Sequence, residues 1–211
     1  FFQVKIIIGA AQFGGNYGIA NKTGKVSNED ISNILKYAFR HNVKTIDTAV
    51  NYGDCERRLG KHDISTFSII SKLPSVQNLN SNEVEDFITK TVVNSLENLK
   101  IKKLGALLLH RPNEILLENG KYITKTLDKL KEEKLINKTG ISIYSPEEIK
   151  PILDKYNFDI VQTPMNILDR RILESGWLQK LKENNIEVHA RSVFLQGLLL
   201  MKRNELCKDY F

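Results

Sequence analysis

The chain has 211 residues, 41% of them hydrophobic and 27% charged, with a formal net charge of +6. That length can bury one sizeable core and is short for two, so a single domain over residues 1–211 is expected. Its basic residues alternate with acids, as in Lys129-Leu130-Lys131-Glu132-Glu133-Lys134, which argues for a solvated helix face and against a nucleic-acid partner, since phosphates call for a same-sign stripe.

Two cysteines, Cys55 and Cys207, lie far apart and outside any metal-ligand spacing, so no metal is expected and a reduced, cytoplasmic protein is. The most apolar stretch, Val193 to Met201, is interrupted by Gln196 and falls well below the roughly 18 residues of a membrane span. No secretory leader pattern opens the chain.

In chain order, Lys5 to Ile8 is a short apolar run ending at Gly9, followed by a loop rich in Gly, Asn and Gln. Ser27, with Asp30 three residues on, predicts a helix start, and Ile31, Ile34, Leu35, Ala38 and Phe39 recur at helical spacing. A second strand is predicted over 43–47, then a loop with Tyr52 and Gly53 and a short helix from Glu56 to His62 whose Leu59 faces inward. The third strand runs from Phe67 to Lys72 before Pro74. A longer helix opens at Ser81-Asn82-Glu83, with Phe87, Ile88, Val92, Leu96 and Leu99 in period. Strand four is Leu104 to Leu109, a helix covers Tyr122 to Lys134, and strand five spans 138–143. Pro146 after Ser145 starts a further helix, strand six is Asp159 to Gln162, and one helix carries Ile172, Leu173, Trp177, Leu178 and Leu181. Strand seven is Ile186 to Ala190, and a last helix begins at Met201.

Strand and helix alternate seven times, which implies a parallel sheet, because each crossover must return the chain to the same end. Closing that sheet gives a (β/α)8 TIM barrel whose eighth strand and helix are expected beyond Phe211. The chain begins at Phe1 and stops at Phe211 within a helical pattern, so it is expected to be part of a longer protein. An open doubly wound sheet is the weaker reading, as no Gly-x-Gly-x-x-Gly turn follows strand one.

Three strands run into ionisable residues. Asp47 closes the second, with Tyr52 five residues on; Lys72 closes the third; His110 closes the fourth. In a barrel every strand's C-terminal end opens into one mouth, so these four can meet. Hydride delivery to a carbonyl builds charge on its oxygen. A phenol can supply the proton if a nearby ammonium tunes it, and a neutral imidazole can hydrogen-bond the same oxygen. Taken singly, each residue also reads as a cap, a packing group or a solvated charge.

Asp47, Tyr52, Lys72 and His110 in this order, with Asp47-Thr48-Ala49, Gly53 and Glu56, resemble the aldo-keto reductases. The resemblance runs from Ile6 to Met201. It implies reduction of a small-molecule aldehyde or ketone with NADPH (or NADH), with Tyr52 as acid, Lys72 as its tuner, Asp47 as orienter and His110 as polariser of the carbonyl. It also implies that Ser142 and Gln162 hold the nicotinamide carboxamide, with Ile143 where the family has Asn. Arg191 takes the place of the aromatic residue under the ring, in a segment that includes Ser192 and Gly197. Gly9 and Ala10 would line the cofactor pocket, and Gln12 and Phe13 the substrate pocket. Two other functions are compatible with the same residues: a Schiff-base aldolase or lyase using Lys72, opposed by the adjacent Asp47, and a barrel that binds nucleotide without turnover, favoured by Ile143 and Arg191.

Overall fold

In the computed structural model, which describes residues 5–205, seven strands lie side by side in sequence order and every neighbouring pair is parallel. They are β1 (Ile8–Gly9), β2 (Thr45–Asp47), β3 (Ser68–Leu73), β4 (Ala106–Leu109), β5 (Thr139–Ser142), β6 (Ile160–Pro164) and β7 (Glu187–Arg191). Between them run α1 (Ala11–Gly14), α2 (Asn28–Arg40), α3 (Cys55–Leu59), α4 (Val84–Leu99), α5 (Gly120–Glu132), α6 (Ile149–Leu153), α7 (Arg171–Glu174) and α8 (Trp177–Glu183). Among the described residues β1 and β7 are the two sheet edges. The expected eighth strand falls outside them.

The sheet is curled. Neighbouring strands sit about 4.8 Å apart, so in a flat sheet β2 and β6 would be separated by about 19 Å. Yet the side chain of Gln162 on β6 donates to that of Asp47 on β2 at 2.9 Å. A second link crosses from the loop after β1 to the loop after β7, where the Ala20 amide donates to the Gln196 carbonyl at 3.2 Å. This is the β/α barrel architecture.

Curling gives the strands two distinct faces. Outward residues Ile46, Ile69, Leu107, Ile141 and Val161 join Ile31 and Leu35 of α2, Ile88 and Val92 of α4, and Ile123 and Leu127 of α5 in one core. Inward residues Ile70, Ala106, Leu108 and Ile160 form a smaller plug with Ile7. The same alternation sends the next inward residues, Lys72, Ser142 and Gln162, to the layer above that plug.

Local signals account for most helix starts. Ser27 accepts a hydrogen bond from the Asp30 amide at 3.0 Å, which caps α2 as expected. Glu148 accepts from the backbone amides of Tyr144 and Ser145 at 2.7 and 2.8 Å and tightens the turn that leads into α6. Three expectations are corrected. Ile34 and Phe39 lie on the solvent side of α2, because its buried stripe needs only Ile31, Leu35 and Ala38. The single helix expected around Trp177 is two, α7 and α8, parted at Gly176, whose φ of +74° interrupts the helical backbone and leaves Leu173 exposed. Residues 201–205 form a bend and a 3-10 turn (Arg203–Glu205) instead of the first turn of the helix expected from Met201.

Candidate active site

The barrel mouth is built by a regular step in register. Asp47 pairs with Ile70, and Lys72 lies two residues further along β3 on the same face. Lys72 pairs with Leu108, and His110 lies two residues beyond that. Each strand therefore lifts its functional side chain above the apolar plug to a common level.

Lys72 is almost wholly buried, and its ammonium is held by two acceptors, Asp47 Oδ2 at 2.6 Å and the Thr48 carbonyl at 2.8 Å. Burial pulls its pKa below the ordinary lysine value, and the Asp47 charge and hydrogen bond oppose that pull. The same ammonium stands 5.1 Å from the centroid of the Tyr52 ring, within cation–π range.

Tyr52 is placed by a close backbone approach. A side chain on Gly14 would overlap the Tyr52 carbonyl, and one on Gly53, whose φ is +59°, would meet the Gly14 carbonyl. Two glycines thus let α1 and the Tyr52 turn touch main chain to main chain. Cys55 locks the same corner, accepting from Thr48 Oγ1 and donating to the Ala10 carbonyl, both at 3.2 Å. The His110 ring meets Tyr52 edge-on, with centroids 6.3 Å apart. Burial first, then the nearby Lys72, Arg111 and Arg191 cations, hold His110 below its usual pKa, so the imidazole is neutral at neutral pH. Burial and then the Asp47 charge push the Tyr52 phenol well above its usual value, with Arg191 pulling the other way. Tyr52 therefore holds its proton.

Ser142 and Gln162 sit side by side, both buried, with the serine hydroxyl donating to Gln162 Oε1 at 3.1 Å. Arg191 at the end of β7 donates to the Ile143 carbonyl at 2.9 Å and lies 4.5 Å from the Tyr144 ring centroid, with its Nε buried and unpartnered. Ser192 has φ of +55° and its carbonyl accepts from Asn166 at 3.2 Å. Gly197 lies against Ala20, where a side chain would collide. Gly9 opens onto free space at the end of β1, whereas Ala10 is buried, its amide donating to the Asp47 carbonyl at 2.9 Å.

The structure does not bring every expected residue to the mouth. Phe13 is buried and belongs to the same core cluster as Cys55 and Leu59 of α3, so its side chain packs instead of lining the substrate pocket. Gln12 is exposed and donates to the Tyr17 carbonyl at 2.9 Å. Beside His110 lies a cleft of about 320 Å³ that also takes in Gln77, Arg111, Asn113 and Tyr144, none of which the sequence singled out. Tyr144 could have been found, since it follows Ser142-Ile143 at the end of β5. Arg58 was also missed: it is buried and clamps the β1–α2 loop through the Phe13 and Val26 carbonyls and Asn28.

A curled parallel sheet with its polar groups gathered at the C-terminal ends of the strands is the arrangement of a β/α-barrel enzyme. The aldo/keto reductase family profile matches residues 5–208, and the chain belongs to that family. It is 32% identical to the uncharacterized oxidoreductase YqkF of Bacillus subtilis over 116 residues, 55% of this chain and 37% of YqkF. It is 29% identical to D-arabinose 1-dehydrogenase of Saccharomyces cerevisiae over 122 residues, 54% of this chain and 36% of that one. These matches thus span little more than a third of either relative. The fold superposes on the holo form of aldo-keto reductase AKR11C1 from Bacillus halodurans with a TM-score of 0.75 at 21% identity, covering 97% of this chain and 66% of that one. Among the described residues no helix is long and apolar enough to cross a membrane, and no cluster of His, Cys, Asp and Glu could hold a metal.

Proposed function

We propose that the protein is an NADPH- or NADH-dependent oxidoreductase that reduces an aldehyde or ketone to an alcohol. The observation that carries this reading is the convergence of a buried Lys72 paired with a half-buried Asp47, a protonated Tyr52 and a neutral His110 on one barrel mouth. The residues present suit a nicotinamide nucleotide. Ser142 and Gln162 offer a hydroxyl and an amide oxygen to a carboxamide, and the unpartnered Arg191 Nε leaves a donor for the nucleotide side of the mouth. When bound, that cofactor supplies hydride to the carbonyl carbon.

The chain's own residues then handle the oxygen. His110 donates an N–H to the carbonyl oxygen and orients it. Tyr52 gives its proton as charge builds there, and the Lys72 ammonium stabilises the phenolate left behind. Asp47 favours the charged form of Lys72 against the burial that lowers its pKa. A small polar carbonyl compound, a sugar among them, suits the Gln77, Arg111 and Asn113 lining of the cleft, and the partial likeness to a sugar dehydrogenase supports it. The buried free thiol of Cys55 suits a reducing, cytoplasmic setting.

The test is fluorescence titration with NADPH and NADH, followed by turnover on a panel of aldehydes, ketones and sugars. Tyr52→Phe should keep nucleotide affinity and lose turnover by about 10²- to 10⁴-fold, the usual weight of a general acid. Saturable binding with no turnover on any carbonyl would replace the reductase with a nucleotide-binding barrel. Covalent trapping of a carbonyl compound on Lys72 by borohydride would move the reading to Schiff-base chemistry.

A further inference from the structure

Gln162 does something the carboxamide role does not require. It reaches across the barrel from β6 to the end of β2, and its Nε2 donates to Asp47 Oδ1 at 2.9 Å. The other carboxylate oxygen, Oδ2, receives Lys72 Nζ at 2.6 Å. An ionised carboxylate only accepts hydrogen bonds, so the amide can face Asp47 only with its nitrogen. Its oxygen is thereby turned to Ser142, which donates to it at 3.1 Å. Gln162, Ser142 and Lys72 are 4%, 3% and 2% exposed, so this chain of contacts runs through buried side chains.

The number of donors decides what this means. An ammonium has three N–H groups. Lys72 directs two of them at Asp47 Oδ2 and the Thr48 carbonyl, which leaves a third uncommitted while the ammonium stands 5.1 Å from the centroid of the Tyr52 ring. That third donor stays free only while Asp47 Oδ1 is satisfied by another group. If Gln162 is taken away, Oδ1 is a carboxylate oxygen without its donor in a largely buried site. The nearest remedy is the Lys72 ammonium itself, which can swing to span both oxygens and so leave Tyr52.

We propose that Gln162 is a positioning residue for the Asp47–Lys72 pair, holding the carboxylate so that Lys72 keeps one donor for Tyr52. The proposal rests on the reductase reading for its catalytic consequence, but the geometry it asserts exists without nucleotide. One amide then serves both halves of the site, its nitrogen on the proton-handling pair and its oxygen facing the nucleotide side.

The test uses the ligand-free protein first. Nitrogen-15 spectra of lysine-labelled protein give a resonance for the buried Lys72 ammonium, assigned with Lys72→Arg. In Gln162→Met, which keeps volume and removes the donor, this resonance moves; in Ser142→Ala, which leaves the Asp47 contact intact, it stays and nucleotide affinity falls instead. With saturating nucleotide and the best carbonyl substrate, Gln162→Met lowers kcat about 10- to 100-fold, the scale of a misplaced catalytic group. An unmoved Lys72 signal in folded Gln162→Met overturns the proposal, as does a loss that saturating nucleotide abolishes. Should Gln162→Met not fold, Gln162→Leu, apolar and without the donor, carries the same two readouts. If the wild-type protein turns over no carbonyl compound, the reductase reading fails and the Lys72 resonance alone decides the positioning role.

Discussion

Every residue of β4 and β5 is buried, and no residue of β7 is. β4 and β5 each have a strand on both sides, helices over the outer face and the apolar plug beneath, while β7 is an edge among the described residues. The two regions also differ in backbone. After β4 the chain turns through Pro112 into a short 3-10 turn, whereas after β7 it passes through left-handed φ values at Ser192, Leu195 and Gln196 of +55°, +46° and +56°. Val193, Phe194 and Leu200 there stay exposed. Lys72 and His110 stand on or just beyond the packed strands β3 and β4, and so do Ser142 and Gln162 on β5 and β6, whereas Arg191, Ser192 and Gly197 belong to the exposed end of the sheet. The difference in burial follows the place of each strand in the sheet, since a strand flanked on both sides has both edges and both faces covered.

The contrast can be broken most sharply by core truncation. Leu108→Ala in the plug should lower the unfolding free energy by about 2–5 kcal/mol, because a fully buried side chain leaves a cavity. Phe194→Ser beyond β7 should change it by no more than about 0.5 kcal/mol. Urea unfolding followed by far-ultraviolet circular dichroism measures both, and equal losses would mean that the two arcs are packed alike.

A second, smaller effect concerns pH. His62, His110 and His189 are all held below the ordinary imidazole value, in each case chiefly by burial. The unfolded chain then binds protons at a higher pH than the folded one, so their contribution is fully present above about pH 6.5 and is lost as pH falls from there through the lower folded-state values. The lowered pKa values of Asp159 and Glu187 act in the same direction at lower pH. The urea midpoint should therefore be lower at pH 5.5 than at pH 8; a midpoint that rises on acidification would mean that these histidines are solvated.

The smallest expected signal is chemical. Cys55 is fully buried, and burial pushes its thiol up to about 11. In a Cys207→Ser background a thiol reagent at pH 8 should titrate no cysteine in the native protein and one in denaturant. Rapid native labelling would show that the corner holding Tyr52 opens freely.

Much of this was legible in the sequence, for a local reason. Asp47, Lys72 and His110 each stand at the end of an apolar run, so reading the strands was enough to locate the mouth. What the sequence hid depends on curvature or on competition between signals. The Gln162–Asp47 contact joins residues 115 positions apart and exists only because the sheet curls. Phe13 looked like a pocket residue from its loop, but it is buried in the same core cluster as Cys55 and Leu59. Gly176 lost to the apolar periodicity around it, although its left-handed backbone decides where α7 stops. Ile34 and Phe39 kept the helical period while lying outside the arc that α2 buries.

From β2 to β4 the functional residue advances by two residues per strand, like a screw thread, whereas Ser142 on β5 and Gln162 on β6 are direct partners in register. Because side chains alternate, slipping one strand by two residues would raise its functional group by one notch, about 6.6 Å, and keep it facing the lumen. Slipping it by one would turn the group into the helix layer. Changes of site height are therefore available to this barrel in whole notches only, and finer adjustment falls to the loops that follow each strand.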